Sequence, residues 1–362
     1  MIIKTIDLSN YRNYEKLSLE LDQGTNIFYG DNAQGKTNIL EAAYLSGTSK
    51  SHKGTKDRDI IRFGQDESHI RTLVEKNQKE YQIDIHLRRN KTKGIAINKL
   101  PIKKAGDLFG ILNIVSFSPE DLNIIKNGPA ERRKFMDMEL CQLDKIYMSD
   151  LSNYNKVLAQ RNQLLKDIYY KPELRDTLSV WDSQLIEYGK RIIKSRRFFV
   201  DEINHMIESI HYKLSGEKEH LIVKYEPNIE DIFFQDQLSR ETGKDLRLCQ
   251  TTVGPHRDDI IFTIDGIDIR KFGSQGQQRS VALSLKLSEI EFVKQAIKDT
   301  PILLLDDVLS ELDSNRQNYL MNSIGDIQTL ITCTGVDEFV KNRFEINRIF
   351  HVVNGEVFEK EQ

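Results

Sequence analysis

Cysteine is scarce in this chain: Cys141, Cys249 and Cys333 are the only three among 362 residues, and they lie far apart. An odd, scattered set gives no disulfide framework and no zinc-ligand spacing, which fits a reduced, cytoplasmic compartment. Long apolar runs are missing as well. No stretch approaches the ~20 residues needed to span a bilayer. The opening Met1-Ile2-Ile3-Lys4 has no apolar export signal, and no membrane role is expected. Neither sign of charge dominates. Lys and Arg number 52 against 55 Asp and Glu, for a formal net charge of -3. No global field draws nucleic acid, so any such surface is local. Proline is limited to seven residues, and only Pro129 and Pro172 fall between 129 and 212. Repeats and low-complexity tracts are absent. With 39% hydrophobic residues, the chain can build two domains, or one large domain with an insertion.

The strongest positive signal is Gly30-Asp31-Asn32-Ala33-Gln34-Gly35-Lys36-Thr37, which fits G-x-x-x-x-G-K-[ST]. Thr25 to Tyr29 before it reads as a strand. Lys36 to about Ser46 after it reads as a helix, with Ile39, Leu40, Ala43 and Tyr44 on one side. In that setting Gly30 and Gly35 let backbone wrap a phosphate chain, and loop amides and helix N-terminus face the anion. Lys36 is expected at the β- and γ-phosphates of ATP, with Thr37 on Mg²⁺.

Further on, Ser68 to Ile97 alternates with period two and reads as an antiparallel meander. From about Pro129 to Tyr212 apolar residues recur at three and four. This predicts two long helices that break at Pro172, an inserted hairpin over 129–213. β character returns at Leu221 to Tyr225 and at Asp258 to Ile269. Pro301 to Leu305 is a continuous apolar strand ending in Asp306 and Asp307. At the carboxyl end of such a strand, Asp306 is expected on Mg²⁺ and Asp307 as the group that orients or deprotonates the attacking water. Ser274-Gln275-Gly276-Gln277 opens a helix. It reads as a second phosphate sensor acting in trans on another chain, or as an ordinary N-cap.

Together these pieces resemble the ABC-type ATPases, and their order is similar to the SMC-like branch. Asn10-Tyr11-Arg12-Asn13-Tyr14, Ser118-Pro119-Glu120-Asp121-Leu122, Gly128-Pro129, Thr252-Val253-Gly254-Pro255-His256-Arg257-Asp258-Asp259 and Gly273-Ser274-Gln275-Gly276-Gln277-Gln278-Arg279 resemble the RecF family of bacterial recombinational repair ATPases. The resemblance covers essentially the whole chain. It implies an α/β fold: a split ABC-type ATPase core (1–128 and 214–362) with a β meander and the helical insertion 129–213. It implies an ATP-dependent homodimer that binds DNA in repair and replication-fork maintenance, supports recombinase loading at gaps, and works with RecR and RecO. Arg12 is implied as a nucleotide contact. Two departures imply slow hydrolysis. Asp307 stands where ABC ATPases place a glutamate, and Thr332-Cys333-Thr334 where they place a switch histidine.

For DNA, the basic loop Lys50, Lys53, Lys56 and Arg58 is the first candidate. Arg88 to Lys93 is a second, and Lys190, Arg191, Lys194, Arg196 and Arg197 a third. The competing reading is the ATPase subunit of a transporter.

Overall fold

The computed structural model describes residues 1–335 and 346–360. In chain order, β1 (Ile2–Tyr11) and β2 (Tyr14–Glu20) form a hairpin, and β3 (Thr25–Tyr29) leads into α1 (Lys36–Thr48). β4 (Glu67–Lys76), β5 (Lys79–Arg88), β6 (Lys91–Ile97), β7 (Leu100–Pro101) and β8 (Ile114–Phe117) follow. Next come α2 (Pro129–Leu143), α3 (Lys145–Tyr170), α4 (Leu178–Leu214), β9 (Leu221–Glu226) and α5 (Phe234–Leu248). β10 (Asp259–Ile264), β11 (Ile267–Asp268), α6 (Gln275–Ile297), β12 (Ile302–Asp306) and α7 (Ser314–Ser323) precede β13 (Thr329–Cys333), β14 (Ile346–Val353) and β15 (Glu356–Glu359). No helix among the described residues is long and apolar enough to cross a membrane.

The chain forms two compact units, Met1–Asp121 with Glu289–Gln362, and Leu122–Ser288. The second is wider than the expected insertion 129–213, because it also takes in β9, α5, β10, β11 and the start of α6. The first contains the expected meander, an antiparallel sheet ordered β2-β1-β4-β5-β6-β7. Its other sheet is ordered β15-β14-β3-β13-β12-β8 and is parallel except for β15. β12 is buried at all five residues, as its unbroken apolar run requires. β14 and β15 were not anticipated from the sequence.

α1 departs from the one-sided stripe expected of it. Every residue from Ile39 to Thr48 is buried. One core cluster joins Ile39, Leu40 and Ala43 to Ile70 and Ile83 of the antiparallel sheet and to Leu304 and Leu330 of the parallel sheet. A helix packed between two sheets has no solvent face, so its apolar residues need no stripe.

In the second unit α3 and α4 run antiparallel. Tyr147 bonds Arg196, Asp150 bonds Arg191, and Arg161 bonds Asp182, one number rising as the other falls. Gly189 of α4 sits at a close approach: a Cβ there would lie 2.4 Å from a ring carbon of Phe234 and 3.2 Å from one of Tyr154. The apolar stripe is only half of what holds these helices. Arg132, Arg161 and Arg196 are fully buried. Arg161 donates to Asp182, Asp245 and Thr251. Arg196 donates to Tyr147, Asp137, Asp258 and the Pro255 carbonyl. The third basic candidate for DNA is therefore corrected at Arg196. Arg196 is interior, and Arg191, Lys194 and Arg197 are paired with Asp150, Asp231 and Glu230.

The Thr252–Asp259 motif is the hub of this network. His256 Nδ1 meets the Tyr154 hydroxyl at 2.7 Å and Nε2 meets the Thr251 carbonyl at 3.1 Å. Burial lowers the His256 pKa from 6.5 to about 4. The ring is neutral when folded and ordinary when unfolded, so acid favours unfolding. Its contribution is complete above pH 6.5 and is lost as pH falls toward 4, by up to about 3 kcal/mol. Trp181, the single tryptophan, lies on α4 and reports on this unit. Denaturation followed by its fluorescence should show the acid loss, and His256→Gln should flatten it. An unchanged pH slope in the variant would contradict this role.

Candidate nucleotide site

The loop between β3 and α1 has the backbone that its glycines predict. Gly30 and Gly35 take φ of 150° and 116°. A Cβ on Gly30 would lie 2.4 Å from the Val352 carbonyl oxygen, and one on Gly35 2.5 Å from Asn13 Nδ2. Both positions thus require glycine for conformation and for space. Asp31, Asn32 and Ala33 are exposed at the crest. Lys36 is buried, and its ammonium donates to the carbonyls of Gly30 and Asp31 at 2.6 Å each. The amides that open α1 form the anion-binding end of the helix.

The loop is braced from outside by two turns. Asn13 Nδ2 donates to Gln34 O at 2.8 Å and Tyr14 hydroxyl to Gly35 O at 3.0 Å. From the β14–β15 turn, Asn354 N donates to Gln34 Oε1 at 2.6 Å and Gly355 N to Gln34 O at 3.2 Å.

The parallel sheet brings Asp306 to the loop. Thr37 Oγ1 donates to Asp306 Oδ1 at 2.7 Å, and Thr332 Oγ1 donates to the same oxygen at 2.7 Å. The residues expected on Mg²⁺ thus meet across 269 positions of sequence. Hydroxyl and carboxylate oxygens are the hard donors that Mg²⁺ selects, so this pair fits the ion. Thr332, in the stretch where a switch histidine was expected, instead fixes the carboxylate. Asp307 is half-buried with φ of 55°, a left-handed conformation that Asp and Asn tolerate. Its amide donates to Thr332 O and Oγ1, and Ser310 Oγ donates to its carbonyl at 2.8 Å and to Oδ1 at 3.3 Å.

Arg12 has a structural partner that the sequence did not reveal. Its guanidinium forks onto Glu41 of α1 at 2.8 and 2.7 Å, and Ser51 and Tyr11 hydroxyls donate to the same carboxylate. Burial alone would raise the Glu41 pKa, but hydrogen bonds from Arg12 and Ser51 outweigh it and hold it below the usual carboxylate value. Arg12 also lines an open cavity of about 910 Å³ with Asn13, Asn38, Arg62, Phe63 and Arg89.

Ser274 and Gln277 form a capping box at the start of α6. Gln277 N donates to Ser274 Oγ at 3.1 Å, and Ser274 N donates to Gln277 Oε1 at 3.0 Å. The N-cap that one of the two sequence readings expected is present. Ser274, Gln275 and Gly276 are exposed. This loop belongs to the second unit and the phosphate loop to the first.

Lys50, Lys53, Lys56 and Arg58 are all exposed. Lys93 of the neighbouring turn is partly structural, reaching the Ser49 carbonyl and Asp57. His52, in the same basic loop, is half-buried beside Tyr44, and its two shielded ring nitrogens have no hydrogen-bond partner.

Sequence reasoning missed Asn13, Tyr14, Glu41, Thr332, Asn354 and Gly355. One signal was available. Asn354-Gly355 between Val352-Val353 and Val357-Phe358 is the pattern of a tight hairpin. Nothing local ties that hairpin to Gln34.

The sequence family described as RecF/RecN/SMC N terminal domain matches residues 2–357. A protein of Agathobacter rectalis named DNA replication and repair protein RecF is 71% identical over 357 residues, 99% of both chains. A solved structure of the recombination mediator protein RecF-ATPrS in the RecFOR pathway superposes with TM-score 0.92 and 36% identity, covering 99% of this chain and 98% of that one. An Smc head domain from Pyrococcus furiosus shares the fold, with TM-score 0.57 and 16% identity over 99% of this chain and 96% of that one. With its phosphate loop, paired acids and whole-length similarity, the chain belongs to the RecF family of DNA replication and repair proteins.

Proposed function

We propose that this protein is an ATP-dependent DNA-binding clamp of recombinational repair and replication-fork maintenance, with slow hydrolysis that DNA stimulates. The observation that carries the reading is the Thr37–Asp306 bond, which places a magnesium-type oxygen pair at the mouth of a phosphate loop. Relatives solved as RecF-ATP support ATP as the ligand. The relatives' description as recombination mediators in the RecFOR pathway supports recombinase loading, with RecR and RecO as partners. Whole-length similarity to proteins named for DNA replication and repair disfavours the transporter reading.

The geometry supports the following roles. The loop amides and Lys36 bind the phosphates. Thr37 and Asp306 would hold Mg²⁺, which supplies charge neutralisation on the phosphates when bound. Asp307 orients or deprotonates water, within reach of the Ser310 hydroxyl. Ser274 to Gln277 present a capped, exposed helix start to the γ-phosphate held by a second copy. One chain has one phosphate loop, so two copies complete two sites. Aspartate in place of the usual glutamate shortens the base by one methylene, and turnover falls below the ~1–10³ s⁻¹ of ordinary enzymes.

Lys36→Ala should weaken ATP binding by roughly 10- to 100-fold, the value of a lost charge-assisted contact. Equilibrium binding to the folded variant checks this, and unchanged affinity would remove the site assignment.

DNA affinity should fall steeply with salt. Lys53→Glu with Lys56→Glu should cut the log–log slope by about 2, since each phosphate neutralised contributes roughly 0.9. If the slope and affinity with ATP stay the same, the loop is a solvated face.

Sedimentation with ATP tests the clamp. Ser274→Arg should bind ATP nearly as before yet stay monomeric. Asp307→Asn keeps a residue suited to φ of 55° and should hold an ATP dimer, with turnover lowered ~100-fold or more. A dimeric Ser274→Arg protein, or a monomeric ATP-bound Asp307→Asn protein, contradicts the mechanism.

A further inference from the structure

A cluster on the solvent face of the antiparallel sheet has a chemistry unlike that of the nucleotide site. β4 and β5 pair so that His69 stands directly opposite His86. Period-two alternation turns Ser68, Ile70, Ile85 and Leu87 inward and leaves Glu67, His69 and His86 on the outer face. The two rings stack with centroids 4.0 Å apart. Glu67 faces both: Oε2 lies 2.9 Å from His86 Nε2, and Oε1 4.0 Å from His69 Nε2. One ligand atom from each residue lies within 4.8 Å of the other two.

The surroundings leave room for a bound ion. Ser9 stands opposite His69 on β1, and Gly94 opposite His86 on β6. These small residues and the two histidines border a cavity of about 420 Å³. Arg71, the cation next along β4, is paired with Asp84 at 2.7 Å. Arg88, opposite Glu67, donates to the Thr92 carbonyl.

Two imidazoles and one carboxylate are a borderline donor set. They suit Zn²⁺, whereas Mg²⁺ takes oxygen ligands. Three protein ligands also leave a fourth position for water or an exogenous group. We propose that Glu67, His69 and His86 bind one Zn²⁺ ion per chain, with the cavity beside Ser9 and Gly94 open to the fourth ligand. The site is independent of the ATP clamp.

The test is a Zn²⁺ titration of the full, chelator-stripped protein against a chromophoric chelator, in buffer containing Mg²⁺. Wild type should take up one equivalent. His69→Ala and His86→Ala should each weaken binding by at least ~10-fold, and the double variant should abolish it. The far-ultraviolet circular dichroism spectrum should stay unchanged, because the side chains lie on the outer face. Co²⁺ in place of Zn²⁺ should show no thiolate charge-transfer band, which separates this site from Cys141, Cys249 and Cys333. Failure of wild type to bind, an equivalent retained in the double variant, or a thiolate band would overturn the proposal. If a variant does not fold, wild-type stoichiometry and the Co²⁺ spectrum still decide.

Discussion

A single oxygen atom, Asp306 Oδ1, ties together the parts of the nucleotide site. It accepts from Thr37 at the start of α1 and from Thr332 at the end of β13, while its own backbone ends β12. Burying a carboxylate is costly unless hydrogen bonds replace water. Here two hydroxyls do so, and both belong to elements of the same parallel sheet and its helix. Site and fold are therefore not separable in this unit. A shift in register at β12 or β13 would strand the carboxylate, and the sheet's register is fixed by the same residues that build the site.

The same principle organises the second unit on a larger scale. Three buried arginines take the place that leucines hold in simpler helical pairs. Each is matched by at least one carboxylate, joined by backbone carbonyls at Arg132 and Arg196 and by the Thr251 hydroxyl at Arg161. Removing one partner would leave an uncompensated charge, so the network enforces one arrangement of α3, α4 and the Thr252–Asp259 segment.

How much of this was legible depended on whether the signal was local. The phosphate loop was legible because glycine spacing and the flanking strand and helix lie within about 25 consecutive residues. β12 was legible because a strand buried on both faces has no polar alternation to hide it. The antiparallel helices were legible from their periodicity. Their buried arginines were not, since a basic run on a helix looks the same whether it meets water or an acid folded against it. Arg196 shows the difficulty: Asp258, its partner, lies 62 residues away. The bounds of the second unit were misjudged for the same reason, because the three-stranded sheet and the Thr252–Asp259 segment join the helices through such long-range bonds. α1 misled in a different way, since a helix between two sheets carries no amphipathic stripe.

The brace on Gln34 has a consequence for synthesis. Its partner Asn354 lies 320 residues downstream, and β3 has β13 and β14 as its neighbours in the sheet. While the ribosome is still making the middle of the protein, the phosphate loop has already emerged, yet its strand has nothing to pair with. The frame around the phosphate loop therefore closes late, after β14 and its turn are translated. A nascent or stalled chain that ends before β13 lacks both strand neighbours of β3 and the turn that braces Gln34.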